Sequence, residues 1–233
     1  MSRIADPKAK ITLLRAAEDV FAERGLAGAK VEEIVRRAGV SKGAFYLHFE
    51  SKEAALKQLV ESFLARCRAF FAPPSDYPDM PDDLGGLLDF AFERDLQIYE
   101  FLWQNRAFLR IIPSCHGELD YLVHAFRADI TQTTREWFEW GKREGIYHRE
   151  IDSDLATALV YGAYNELSVR LLTADRRPPL EEWLIFAQDC FFRAFGTPET
   201  LAMLEERNQR VSLDIRRPRR PRVESTIERT RET

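Results

Sequence analysis

The run VEEIVRRAGVSKGAFYLHF, residues 31–49, constrains the fold of this chain more than any other stretch. Val31, Ile34, Val35 and Ala38 recur at i, i+3, i+4 and i+7, the spacing of one buried helical stripe. Gly39 follows as a left-handed cap, Val40 as an apolar pin, and Ser41 as an N-cap whose hydroxyl can accept from the next helix's free N–H groups. Two short helices crossing steeply at such a turn need a small residue at the close approach, a residue tolerant of positive φ, and an apolar residue beneath. Ala38, Gly39 and Val40 meet those needs. In the second helix Phe45 and Phe49 lie four apart as inward anchors. Lys42, Gly43, Ala44, Tyr46 and His48 are left outward or on the flanks.

The rest of the chain is helical by the same criterion, and no strand-like alternation is sustained, so the expected fold class is all-α. A first helix is predicted over about 7–24, with Ile11, Leu14, Ala17 and Phe21 on one face and Gly25 ending it. Ser51 caps a long fourth helix with Leu56, Leu59, Phe63, Cys67 and Phe70 on its apolar side. Pro73-Pro74 and the acidic stretch to Asp83 end it. Helices are then expected at about 84–105, 106–112, 118–144, 152–173 and 180–195, broken by Pro113, Gly145, Pro178-Pro179 and Gly196. Three parts follow: an N-terminal helix-turn-helix domain over 1–71, a larger helical domain over 80–210, and a disordered Arg/Pro tail over 211–233.

Composition narrows the function classes. The three cysteines, Cys67, Cys115 and Cys190, make neither a CxxC metal pair nor a disulfide framework, which points to a reducing, cytoplasmic setting. No apolar run is long enough to span a membrane. A phosphate-cradling glycine loop, a nucleophile elbow and a metal-ligand pair are all missing, so neither enzyme chemistry nor a cofactor or metal is expected. The net charge of −4 hides an asymmetry. Residues 1–71 hold 13 Lys/Arg against 9 Asp/Glu, whereas 72–210 hold 14 against 25. A basic head on an acidic body orients the molecule head-first toward a polyanion.

The segment AGVSKGAFYLHFESKEAAL, together with the preceding KITLLRAAEDVFAERG, resembles the DNA-binding domain of the TetR family of repressors over residues 8 to about 60. The resemblance implies that Ser41, Lys42, Gly43, Ala44, Tyr46, His48 and Lys52 touch DNA. Small Gly43 and Ala44 would let the helix settle in the major groove while Lys42, Tyr46 and His48 reach phosphates or base edges. One departure stands out. Where the family has a Thr or Ser capping the second helix and touching phosphate, this chain has Lys30, which keeps reach to phosphate but gives up a cap bond worth about 1 kcal/mol.

By the same resemblance, the larger domain binds a small-molecule effector and pairs with a second copy. The last two predicted helices would form a four-helix bundle, with Leu159, Tyr161, Leu167, Leu171, Trp183, Phe186, Phe191 and Phe195 supplying the apolar area. Among the aromatic residues of the middle helices, Phe101, Trp103, Phe108 and Trp137 are candidate pocket residues. His124 and Asn165 are candidate polar partners for an apolar or aromatic ligand. The functional expectation is a homodimeric, ligand-released repressor on a double-stranded, inverted-repeat DNA operator. The alternative is a ligand-binding helical adaptor that kept the fold and lost specific operator binding.

Overall fold

The structure, a computed structural model, describes residues 6–111, 117 and 119–216. Ten α-helices lie among the described residues: α1 (Pro7–Gly28), α2 (Val31–Ala38), α3 (Lys42–His48), α4 (Lys52–Arg68), α5 (Leu84–Gln104), α6 (Arg106–Leu109), α7 (Asp120–Arg143), α8 (Ser153–Thr173), α9 (Leu180–Phe195) and α10 (Pro198–Arg216). Among those residues no helix is long and apolar enough to cross a membrane.

Local chemistry explains most of the helix ends. Asp6, Ser41, Ser51, Asp83 and Asp152 each accept from a backbone N–H two or three residues on. Lys30 stands at the N-cap of α2 without a side-chain cap bond. Gly39 adopts φ 67°, ψ 28°, and Val40 N–H donates to Val35 O at 3.0 Å while Gly39 N–H donates to Arg36 O at 3.3 Å, a Schellman stop. In α1 the break at Gly25 comes where the sequence places it, with φ 64°, ψ 173°, but helical turns resume and carry the element to Gly28.

The N-terminal core gathers Leu13, Ala17, Val20, Phe21, Ile34, Phe45, Leu56, Val60 and Phe63. It does not stop at α4. Phe108, Ile111 and Leu119 belong to the same cluster, and Phe63 packs on Phe108 with ring centroids 4.6 Å apart. The first four helices are therefore seated on the larger part through α4. Ile11 corrects the expected face of α1: it is exposed, and the buried stripe runs through Leu13, Ala16, Ala17, Val20 and Phe21. Both stripes satisfy a 3.6 period, and only packing against α2 and α4 selects between them.

α10 is the largest correction. Gly196 was expected to end the last helix, with disorder from 211. Instead a further helix runs from Pro198 to Arg216, and residues 217–233 lie outside the described residues. The new helix is integral. Leu204 and Thr200 are fully buried, and Arg207, also fully buried, donates to Leu88 O at 3.1 Å and to Gln188 Oε1 at 2.7 Å. The α9–α10 junction is clasped by the turn after α7. His148 N–H donates to Phe195 O, Thr197 N–H donates to Ile146 O, and Thr200 Oγ1 donates to Ile146 O at 2.8 Å. Elsewhere, the predicted 106–112 helix is only the turn Arg106–Leu109, and the predicted 118–144 helix begins at Asp120. Ile112, Pro113, Cys115, His116 and Glu118 lie outside the described residues.

Candidate nucleic-acid interface and effector cavity

α3 is held up from beneath and bare on top. Phe45 is fully buried and Phe49 nearly so, with ring centroids 5.3 Å apart. Ser41 Oγ accepts from Ala44 N–H at 3.1 Å, so the hydroxyl proton remains available to an outside acceptor. On the opposite side Tyr46 is 52% exposed and the Lys42 side chain 54% exposed. Gly43 is exposed, and a methyl group built there would meet nothing nearer than Ser41 Oγ at 3.8 Å. Its smallness is not required by packing within the chain. Ala44 and His48 are half-buried on the flanks, and Lys30 is exposed at the start of α2.

Two lysines are engaged by the protein itself. Lys42 Nζ pairs with Glu32 Oε1 at 2.5 Å across the turn. The hydrogen bond, together with the field of the neighbouring charge, raises the Lys42 pKa and lowers that of Glu32. Both side chains are open to solvent, so the pair is exchangeable. Lys52 is different. Its ammonium donates to Leu26 O at 2.8 Å, Ala29 O at 3.0 Å and Ala27 O at 3.5 Å. Expected to touch DNA, Lys52 spends its three N–H donors within the chain, closing the C-terminal end of α1 onto the start of α4. The frame behind α3 is also ionic. Arg37 grips Glu23 through two bonds and Glu33 through a third, and Arg24 also reaches Glu33.

Within the larger part, α4, α5, α7, α8 and α9 enclose a cavity of about 570 Å³. Three of the six expected pocket residues line it: Trp137, His124 and Asn165. Phe101, Trp103 and Phe108 do not, and are corrected to packing roles. Phe101 stacks against Phe63 and Phe70, Phe108 sits in the core under α4, and Trp103 lies beneath Arg106 at 4.0 Å. The face of α5 that meets the cavity is instead Ala91, Arg94, Asp95, Ile98, Tyr99 and Leu102.

The polar end of the cavity escaped the sequence reading. Asp95 Oδ2 accepts from the Tyr164 hydroxyl at 2.6 Å and from Gln188 Nε2 at 2.9 Å, and Tyr99 donates to Tyr164 O at 2.6 Å. Burial, then the Asp95 charge, keeps the Tyr164 hydroxyl well above its ordinary pKa, so it stays a donor. Asp95 at i+3 from Phe92 and i−3 from Ile98, a carboxylate on the apolar stripe of α5, was the available signal.

The outward faces of α8 and α9 also differ from expectation. Leu159 is 63% and Phe186 73% exposed. Leu171, however, is buried, Tyr161, Phe191 and Phe195 line the cavity, and Leu167 and Trp183 pack on an internal cluster. Leu155 and Val169 are exposed in their place.

Comparison with known proteins agrees with this geometry. The family described as bacterial regulatory proteins, tetR family, matches residues 13–59, which span most of α1 through the first half of α4. The HTH-type transcriptional regulator YvdT of Bacillus subtilis (strain 168) is 42% identical over 141 residues, 60% of this chain and 68% of that protein. The HTH-type transcriptional repressor DhaR of Mycobacterium sp. (strain GP1) is 25% identical over 74% of this chain and 86% of its own length. Among solved structures, the fatty acid degradation regulator FadR from Bacillus halodurans superposes with a TM-score of 0.64 at 22% identity, covering 82% of this chain and 97% of that one. With its N-terminal helix-turn-helix, all-α fold and these relatives, the chain belongs to the TetR family and is a DNA-binding transcriptional regulator, not an enzyme.

Proposed function

We propose that the protein is a cytoplasmic, ligand-released repressor that binds an inverted-repeat operator as a homodimer. Residues 1–71 serve as the DNA-binding domain, and the helices from about 80 to 210 serve as the effector-binding and pairing domain. One observation carries the proposal: α3 turns Lys42, Gly43 and Tyr46 to solvent over a buried Phe45–Phe49 base. A helix so supported fits a major groove, whose width admits one α-helix. Lys42 leaves Glu32 for a phosphate or base edge, and Tyr46, Ser41 and His48 add contacts along the groove. Lys30 contributes charge at the start of α2.

Pairing uses the exposed apolar residues of α8 and α9, chiefly Leu155, Leu159 and Phe186. A two-fold pair presents two α3 helices to half-sites roughly 34 Å apart. Release follows from α4. Phe63, Leu64 and Cys67 of that helix line the cavity, and Lys52 at its other end is bonded to the end of α1. A ligand that displaces α4 therefore moves the frame carrying α3, and a ligand preferring the displaced state lowers operator affinity.

Selection of operators from random DNA tests this, with Lys42→Ala and Tyr46→Ala run in parallel. The wild-type chain should enrich an inverted repeat, and both variants should lose it. A consensus without two-fold symmetry would refute the dimeric arrangement. Sequence-independent binding alone would favour the adaptor.

A further inference from the structure

The cavity's ionisable lining is unbalanced. Among the described residues Arg94, Arg127 and His124 face it, against a single carboxylate, Asp95. That carboxylate is already committed: Oδ2 holds Tyr164 and Gln188, and Gln188 is locked in turn by the buried Arg207 of α10. Arg94 is only loosely committed. Its Nη2 lies 3.5 Å from Asp95 Oδ1, at the limit of a hydrogen bond, and its Nε is buried with no hydrogen-bond partner. A guanidinium donor left without an acceptor is costly, and the open part of the Arg94 side chain, 25% of it, stands at the cavity wall where an acceptor from outside the chain can meet it.

The guanidinium is also held in place. Its carbon sits 4.7 Å from the ring centre of Trp137, and the Trp137 indole N–H is fixed by donation to Ala72 O at 3.0 Å. A guanidinium stacked on an aromatic face offers its edge, the geometry that binds a planar carboxylate with two parallel N–H bonds. Tyr147 lines the same end of the cavity, and burial pushes its hydroxyl pKa up to about 12, so it is a neutral donor beside Arg94. Most of the remaining wall is apolar or aromatic, including Phe71, Ile98, Leu102, Phe126, Val160 and Phe191, with Thr133, Thr134, Asn165 and Ser168 as uncharged polar members.

Building on the assignment of this cavity as the effector site, we propose that its ligand is an amphipathic monoacid: an apolar or aromatic body with one carboxylate, the carboxylate seated on Arg94. A cationic ligand is disfavoured because both Asp95 oxygens already face donors of the chain and two arginines face the space. A neutral ligand offers the Arg94 fork an uncharged acceptor, a weaker partner than a carboxylate with its charge and two oxygens.

Calorimetric titration of the full chain with decanoate, decan-1-ol and decylamine tests the assignment on one hydrocarbon length. Decanoate should bind at least tenfold more tightly than the alcohol, with the amine weakest. In Arg94→Gln decanoate should fall to the level of the alcohol while the alcohol is unchanged. Arg94→Lys, which keeps the charge and loses the fork, should be intermediate, and it serves if the Gln variant does not fold. Equal binding of acid and alcohol, preference for the amine, or an acid preference that survives in Arg94→Gln overturns the acid assignment and leaves the cavity an effector site. Absence of binding by all three probes removes both.

Discussion

Lys52 offers the sharpest test, because two roles for it make opposite demands. Its ammonium donates to three carbonyls at the end of α1, two of them at 3.0 Å or less. Lys52→Met keeps the aliphatic stem and removes the donors. A hydrogen bond to a charged group contributes about 1.5–3 kcal/mol, and water reaching a half-buried site offsets part of that for each carbonyl. The two shorter bonds together set a loss of about 2–3 kcal/mol. At about 2–4 °C per kcal/mol for a chain of this size, the melting temperature should fall by about 5–10 °C. Urea denaturation without DNA should show a lower midpoint at unchanged slope, since the surface exposed on unfolding is the same. Titration with DNA at several salt concentrations completes the test. A lost phosphate contact makes the log–log salt slope shallower by about 0.9. An unchanged urea midpoint with a shallower salt slope would show that Lys52 serves DNA and not the α1–α4 junction, refuting the structural assignment.

Further outcomes follow from the same geometry. Gly43→Ala should leave the fold intact or more stable by up to about 1 kcal/mol, because the position is helical and open, yet weaken operator binding by holding α3 off the groove; urea melts and DNA titration read the two separately. Glu32→Gln should tighten DNA binding by freeing Lys42 and removing a negative charge beside it, with the gain fading as salt is raised; unchanged affinity at low salt would contradict this. Gly141→Ala places a methyl 2.5 Å from the Tyr147 ring, so that ring must move, at a cost of about 1–3 kcal/mol in denaturant, with altered ligand titrations because Tyr147 lines the cavity. Burial pushes the Cys67 thiol pKa up to about 12, so at pH 8 it stays protonated and should resist iodoacetamide in the native state while reacting on unfolding; rapid native labelling at Cys67 would contradict its placement.

Much of the architecture was legible from residues that act over three or four positions. Ser41, Ser51 and Asp152 cap helices by bonding to N–H groups two or three residues on, and Gly39 stops α2 because only a left-handed residue lets Val40 reach back to Val35. α10 was hidden. Its polar, charged sequence around Arg207 reads as solvated, whereas the partners that bury it, Leu88 and Gln188, lie on other helices. The pocket residues were half legible. Helical spacing identifies Phe101 and Phe108 as inward but cannot say whether inward means α4 or the cavity.

From its order of residues alone this chain specified an all-helical fold, the helix-turn-helix and its outward Lys42–Tyr46 face, because caps, turns and amphipathic periods are local. Tertiary structure alone decided that Lys52 faces the carbonyls of α1, that Leu13 and not Ile11 enters the core, and that Arg94 lies over Trp137 at the wall of a cavity with its Nε unpartnered. Each of those depends on which helix packs against which, and the free energy of that choice is spread over contacts far apart in the chain.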